Sequence, residues 1–358
     1  MNKKLVAIML TLLLSVTVVL AGCAKKDEPK AAMVNSLKSA TAMTSYEMSS
    51  KFVIEDLVMN IAEINTADAE LALNVLKNAE VTLDGVYQAD PMQAEFKMGI
   101  NLKGDMAMSF NLDMVMTQEK IYVKVPNIPM LPLPEEVVGK FLVLDLKELA
   151  EEAGESFNPA TLDAKKSQEF SNEILEAFMS EFDEEKYFKE IAASDVSLPE
   201  GIETKQIIQF SINNDNVNEA VELIVNNVLP KILDIIAKEE YRELVGLTQA
   251  EIDEARESIT SVSQEDLKIA LEELNEFLVI NSFNINTAIN KKDFPVYQDV
   301  TADLVFNDPE SSDNMKLVFK GSSHYTKINE TAEFKVGIPQ DADVVTMEEF
   351  EEAMYYGY

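Results

Sequence analysis

The chain of 358 residues is 47% hydrophobic and 26% charged, a balance that buries a core and excludes a disordered tail. Its 64 acidic residues against 30 basic ones give a formal net charge of -34, which repels polyphosphate and excludes nucleic-acid binding. One Cys, one His and no Trp exclude Cys/His zinc sites, disulfide scaffolds and Cys–His catalysis.

The chain opens on Met1-Asn2-Lys3-Lys4, a basic start, followed by a charge-free apolar run over 5–20 and then Leu20-Ala21-Gly22-Cys23. Small residues at that point predict a secretory signal over 1–22. The tetrad resembles the lipobox of bacterial lipoproteins. That resemblance implies that Cys23, the only thiol, is lipidated and becomes the first residue of the mature chain. A transmembrane anchor is the alternative, but the run falls short of the roughly 20 residues that span a bilayer. Two acyl chains, at about 0.8 kcal/mol per buried CH₂, hold a protein on a membrane stably. Residues 23–30 then form the lipidated Cys and a polar tether, with the folded part outside the cytoplasm at the cell membrane. So acidic a body is pushed away from anionic headgroups.

Periodicity orders the rest. Met33, Leu37 and Ala40 predict a helix over 31–43, and Tyr46, Met48, Phe52 and Ile54 then alternate as in a strand with one wet face. A helix over 67–78 and a strand from Val81 to Tyr87 follow. From Met92 to Met116 nearly every even position is apolar, including Met98, Met106, Met108, Phe110, Leu112 and Met114, while odd positions are mostly polar or small. Lys103-Gly104-Asp105 interrupts the run where a hairpin turn belongs, so two antiparallel strands put this stripe on one face. Further strands are predicted over 120–125, 141–146, 204–213, 283–289, 296–306, 315–319 and 333–338. Between them lie helices over 169–182, 217–237 with a kink at Pro230, 251–260 and 264–277. This order predicts one α+β domain over 31–345, with a helical insertion at about 169–277 and an acidic C-terminal tail over 346–358.

A lipobox, a tether, an opening helix, long period-two strands and a closing Val336-Gly337-Ile338-Pro339-Gln340-Asp341-Ala342 together resemble the half-barrel lipoproteins related to the LolA, LppX and LprG carriers. Segments such as Gly85-Val86-Tyr87-Gln88-Ala89-Asp90-Pro91 and the proline-rich 125–134 are most similar to lipoproteins of Gram-positive bacteria. The resemblance implies a curled antiparallel sheet, a half-barrel, that holds acyl chains between sheet and helices. The long helical insertion departs from the small carriers and is expected on or in the concave face.

Met is unbranched and polarizable, so a Met-rich face suits ligands of varied shape. Met98, Met106, Met108, Phe110, Leu112 and Met114 are therefore the candidate ligand-binding residues; the competing reading is a plain core face covered by helices. Met106-x-Met108 and Met114-x-Met116 also suggest thioether ligands for Cu(I), but no His or Cys completes the set. Four prolines over 126–134 make a stiff crossover that packs at an edge or rims a cavity. Asn213 to Glu219 offers oxygen ligands, yet lacks the turn Gly and distal Glu of an EF-hand; helix capping by Asn and Asp explains it better. His324 follows Ser323 in a strand, where neighbours point to opposite faces and cannot form a catalytic pair. Neither metal nor cofactor is expected. The expected function is a non-catalytic, membrane-anchored lipoprotein that binds a lipid or another amphiphile; the alternative is an envelope structural or interaction lipoprotein with a filled core.

Overall fold

The computed structural model describes residues 26–60, 73, 76, 77, 79–102, 108–127, 133–152 and 164–356. The signal over 1–22, Cys23, Met106 and most of the helix expected over 67–78 lie outside them, as do the turn 103–107 and the middle of the proline-rich crossover.

The chain forms a mixed α/β fold around one large sheet of 12 strands. These are β1 (Ser45–Asn60), β2 (Glu80–Ala89), β3 (Met92–Leu102), β4 (Met108–Thr117), β5 (Lys120–Lys124), β6 (Phe141–Asp145), β7 (Phe188–Glu190), β8 (Gln206–Ile212), β9 (Leu278–Ile289), β10 (Pro295–Asn307), β11 (Asn314–Thr326) and β12 (Val344–Val345). Their spatial order is β12-β6-β5-β4-β3-β2-β1-β11-β10-β9-β8-β7, so among the described residues the sheet is open. Every pairing is antiparallel except β12 on β6.

Register and alternation assign each side chain to one of two faces. One face is apolar across the whole sheet: Leu142, Val123, Met114, Phe96, Gly85, Met48 and Tyr325 follow one another from strand to strand. The other is largely polar. There Gln209 donates to Asn286 at 2.9 Å and Asn286 donates to Asp299 at 2.8 Å, which links β8, β9 and β10 with side-chain bonds.

The described helices are α1 (Pro29–Thr41), α2 (Leu146–Glu152), α3 (Ala164–Glu181), α4 (Glu184–Tyr187), α5 (Val217–Leu223), α6 (Leu229–Ile236), α7 (Glu239–Val245), α8 (Gln249–Ser261), α9 (Gln264–Phe277) and α10 (Met347–Tyr356). The largest core cluster joins Met33 of α1, Phe182 after α3, Tyr187 of α4 and Ala220 of α5 to Ile208, Phe210 and Ile289 on the apolar face. At the other end of the sheet, Phe350 and Ala353 of α10 pack with Val125, Val137, Leu142 and Val345, so the acidic segment 346–358 contains a docked helix. Between α5 and α6 the turns widen into a π segment, Ile224–Val228, closed by Leu229 N–H donating to the Ile224 carbonyl. The kink expected at Pro230 takes this form, because Pro has no N–H and its ring crowds the preceding turn.

Two expectations are corrected. Residues 333–338 are not a strand. The N–H groups of Lys335, Val336 and Gly337 donate instead to the buried Glu95 carboxylate, at 2.5 to 3.1 Å, so they are spent on a side chain rather than a ladder. Asn216 stands at the cap position of α5 without capping it: its Oδ1 accepts from Asn213 N–H and its Nδ2 donates to the Ser211 carbonyl. That ties the helix start back to β8.

Glu95→Ala should cost about 2 kcal/mol, the worth of charge-assisted hydrogen bonds, and raise hydrogen exchange at residues 335–337. Chemical denaturation and exchange measured together check this; unchanged exchange there would refute the clamp. Burial, then neighbouring carboxylates, pushes the Tyr187, Tyr241 and Tyr297 hydroxyls up to about 12. Their protonated form is favoured in the folded chain, so stability should hold below pH 10.0, the unperturbed value, and fall as pH rises towards 12. A tyrosinate titration followed by ultraviolet absorbance should resolve a late-ionising group of tyrosines.

Candidate functional site

Four strands and the loss of cover define the site. On β3 and β4, Met98 pairs with Leu112, Ile100 with Phe110, Leu102 with Met108 and Phe96 with Met114. These side chains share the apolar face with Val81, Leu83 and Tyr87 of β2 and with Tyr46, Met48 and Phe52 of β1. The stripe is thus one surface, as its even spacing implies. Met98, Met108, Phe110, Leu112 and Met114 are each half-buried. In contrast, Val115, on the opposite face, is completely buried with Tyr122 and Phe141.

The described helices make their main sheet contacts on β6 to β10, and β2, β3 and β4 contact chiefly their neighbouring strands. The middle of the apolar face is therefore covered by neither helical end cap. Two glycines shape it. A Cβ on Gly85 would fall 2.7 Å from the Phe96 ring, and one on Gly321 would fall 2.9 Å from Phe52. Without them the two rings lie down across the strands, and Phe52 stacks on Phe319 at a centroid distance of 6.2 Å. Between these rings, Ser50 and Ser323 hydroxyls satisfy each other at 2.7 Å, so the one polar pair here asks for no ligand.

At one end of the face stand three tyrosines. Tyr46 lies 5.2 Å from Tyr87 and 5.6 Å from Tyr325, ring centre to ring centre. Burial raises all three hydroxyl pKa values, and in Tyr46 its two neighbours add to the effect. The opposite end of the face is formed by Phe110, Met108, Met315 and Phe306, which carry no ionisable group. A cleft of ≈ 370 Å³ touches Phe110, Val125 and Pro126, but Asp113 and Lys124 also wall it and make it polar in part.

Other sequence candidates are placed apart from the stripe. His324 lies on the polar face opposite Ser49 and Tyr297, and Ser323 points the other way. Among the described residues no three His, Cys, Asp or Glu side chains gather closely enough to hold a metal ion, and no helix is long and apolar enough to cross a membrane. Sequence reasoning missed the contribution of Phe319, Leu317 and Met315 beyond their strand, and of Leu278 and Ile280 on β9, which extend the apolar face past β1.

No protein-family model and no curated protein matches the chain. Among solved structures, a bifunctional dehydratase-cyclase domain of ambruticin biosynthesis aligns over 91% of this chain and 84% of its own. Its identity is 10% and its TM-score 0.09, so it carries no argument.

The two faces predict opposite responses to one chemical change. Leu112→Asp should cost roughly 2 kcal/mol or more, since it sets a charge among apolar neighbours, whereas Asn111→Asp, one residue away on the polar face, should stay within about 0.5 kcal/mol. Equal melting shifts for the two variants would refute the register.

Proposed function

We propose that this protein is a membrane-anchored, non-catalytic lipoprotein of the cell surface that binds a lipid or another amphiphile on its apolar sheet face. One observation carries the reading: a continuous apolar surface, from Met98 and Leu112 across to Phe319, stays half-buried while helices are packed on either side of it. Apolar surface left open in this way is stabilised by whatever removes it from water, and an acyl chain has the shape and the chemistry. The methionines add a surface that repacks around chains of differing length.

In this reading the sheet curls into a half-barrel, with the stripe on the concave face and the insertion 169–277 bordering the groove. The layout is that of the LolA-like carriers, and the lipobox at Leu20-Ala21-Gly22-Cys23 supplies the anchor. No nucleophile–base pair or cofactor cradle figures in the proposal.

Mass spectrometry of an organic extract from the purified mature chain should find bound amphiphile, and a long-chain fatty-acid probe should bind saturably. Met98→Trp should weaken that binding several-fold by filling the groove. A lipid-free extract with unsaturable binding would favour the alternative, an envelope interaction protein whose core is filled. The anchor is tested separately: Cys23→Ala should move the protein from the membrane to the soluble fraction, and its retention after detergent-free washing would refute lipidation.

A further inference from the structure

The chain just beyond Cys23 is fastened to one end of the sheet. Asp27 N–H donates to Gln206 Oε1 at 3.1 Å, and the Asp27 carbonyl accepts from Gln206 Nε2 at 3.2 Å. Its carboxylate accepts from Lys205 Nζ at 2.7 Å, and the same ammonium donates to Asp293 at 3.0 Å in the turn between β9 and β10. Gln206 is buried, and the Lys205 side chain is 8% exposed. Those two carboxylates hold the Lys205 pKa above its ordinary value, so the charge is retained where it is sheltered. Lys26 adds an ion pair with Glu190 on β7.

Chain geometry turns this clamp into an orientation. Four residue steps separate Cys23 from Asp27, and an extended chain covers at most about 3.6 Å per residue, so Cys23 lies within roughly 14 Å of the clamp. Strand β10, which starts at this end, has 13 residues and is therefore about 40 Å long. A tether that short cannot let the two ends of the sheet exchange places.

The two turns that bound β10 also differ in charge. The turn beside the clamp is Asn290-Lys291-Lys292-Asp293-Phe294, with both lysines exposed and Phe294 half-buried beneath them. Lys291 approaches its nearest carboxylate, Glu203, only at 3.9 Å, with both side chains largely in water. Lys291, Lys292, Phe294 and Ile202 border a cleft of ≈ 420 Å³ at this end, whose wall also carries Lys327, Glu203 and Glu330. At the other end of β10 the turn carries Asp308, Glu310 and Asp313. In a chain of net charge -34, the turn beside the clamp presents two exposed lysines next to an aromatic ring.

We infer that the end of the sheet at the Asp27 clamp rests on the bilayer, and that Lys291, Lys292 and Phe294 form its contact with anionic phospholipid headgroups. The inference rests on the lipoprotein reading above, which supplies the anchor at Cys23. Ammonium groups within a Debye length of phosphodiester charges gain from them, whereas the acidic far turn is repelled, and both effects stand the body upright. Tyr46, Tyr87 and Tyr325 then mark the membrane-side end of the apolar face, since Tyr46 and Tyr325 lie at the β1 start and β11 end that flank this turn.

The test uses the lipidated full chain in vesicles of phosphatidylcholine with phosphatidylglycerol. Acylation blocks the native thiol, so Lys292→Cys and Glu310→Cys can each carry a single fluorophore. A headgroup spin-labelled lipid should quench most of the emission at 292 and leave 310 as bright as in buffer. Equal quenching, or stronger quenching at 310, overturns the orientation. In the companion measurement, a fluorophore at Phe294→Cys should lose quenching when Lys291→Glu and Lys292→Glu are combined, in the phosphatidylglycerol vesicles but not in phosphatidylcholine alone. Quenching there that ignores both charge reversal and lipid charge overturns the headgroup contact. A chain that fails to float with vesicles overturns the anchor itself, and so separates that failure from the other two.

Discussion

Period-two alternation, sustained over twelve hydrogen-bonded strands, is the constraint on which the molecule depends. It gathers a continuous apolar surface on one face, while the other keeps two smaller buried clusters, Val115 with Tyr122 and Phe141, and Ile207 with Ala288 and Tyr297. The helices cover the continuous surface at two places. Met33, Phe182, Tyr187 and Ala220 cover Ile208, Phe210 and Ile289 near β8, while Phe350 and Ala353 cover Leu142 and Val345 near β6. Among the described residues neither group reaches the span between, and it is there that the methionines concentrate. A flexible thioether tolerates partial cover better than a branched side chain, because it can fold down onto its neighbours when nothing else lies above it.

The polar face works by different means. Its side chains bond to one another across strands, as Ser211 does with Asn284 at 2.8 Å and Asn281 with Asp303 at 3.0 Å, so the ladder is doubled by a second set of bonds above the backbone. Asp299 sits among them 5% exposed, and burial raises its pKa even though Asn286 donates to it. The buried carboxylate of Glu95 accepts from three backbone N–H groups, and in doing so fixes the chain that leads to β12. One face is thus held by exclusion of water, and the other by mutual satisfaction of polar groups beside two small apolar clusters.

How far this was legible from residues alone depended on whether local pattern and long-range pairing agreed. The even-numbered stripe from Met92 to Met116 was read correctly as β3 and β4 because each strand carries its own alternation. Residues 264–277 were legible as a helix because Ser263 and Asp266 form a capping box at its start. The second half of β11 was not, since Gly321, Ser322, Ser323 and His324 show no apolar alternation; they are strand because β1 and β10 pair with them on both sides. Leu278 to Ser282 escaped for another reason: helix α9 runs into β9 with no glycine stop, so helical period masked the strand. Residues 333–338 were misread because alternation persists there while its N–H groups are taken by Glu95, a residue some 240 positions away. The site was legible as a stripe but not as an open one, because exposure depends on where helices stop.

The margins of the sheet carry a consequence for how copies of the chain meet one another. A wide open sheet with long bare edges would be a template on which further copies could add their own strands. Here β7, at one margin, has three residues with Lys189 and Glu190 exposed, and β12, at the other, has two. The strand at each margin is therefore no longer than three residues, which shortens the ladder a neighbouring copy could add to it. Short terminal strands of this kind blunt edge-to-edge growth of fibrils.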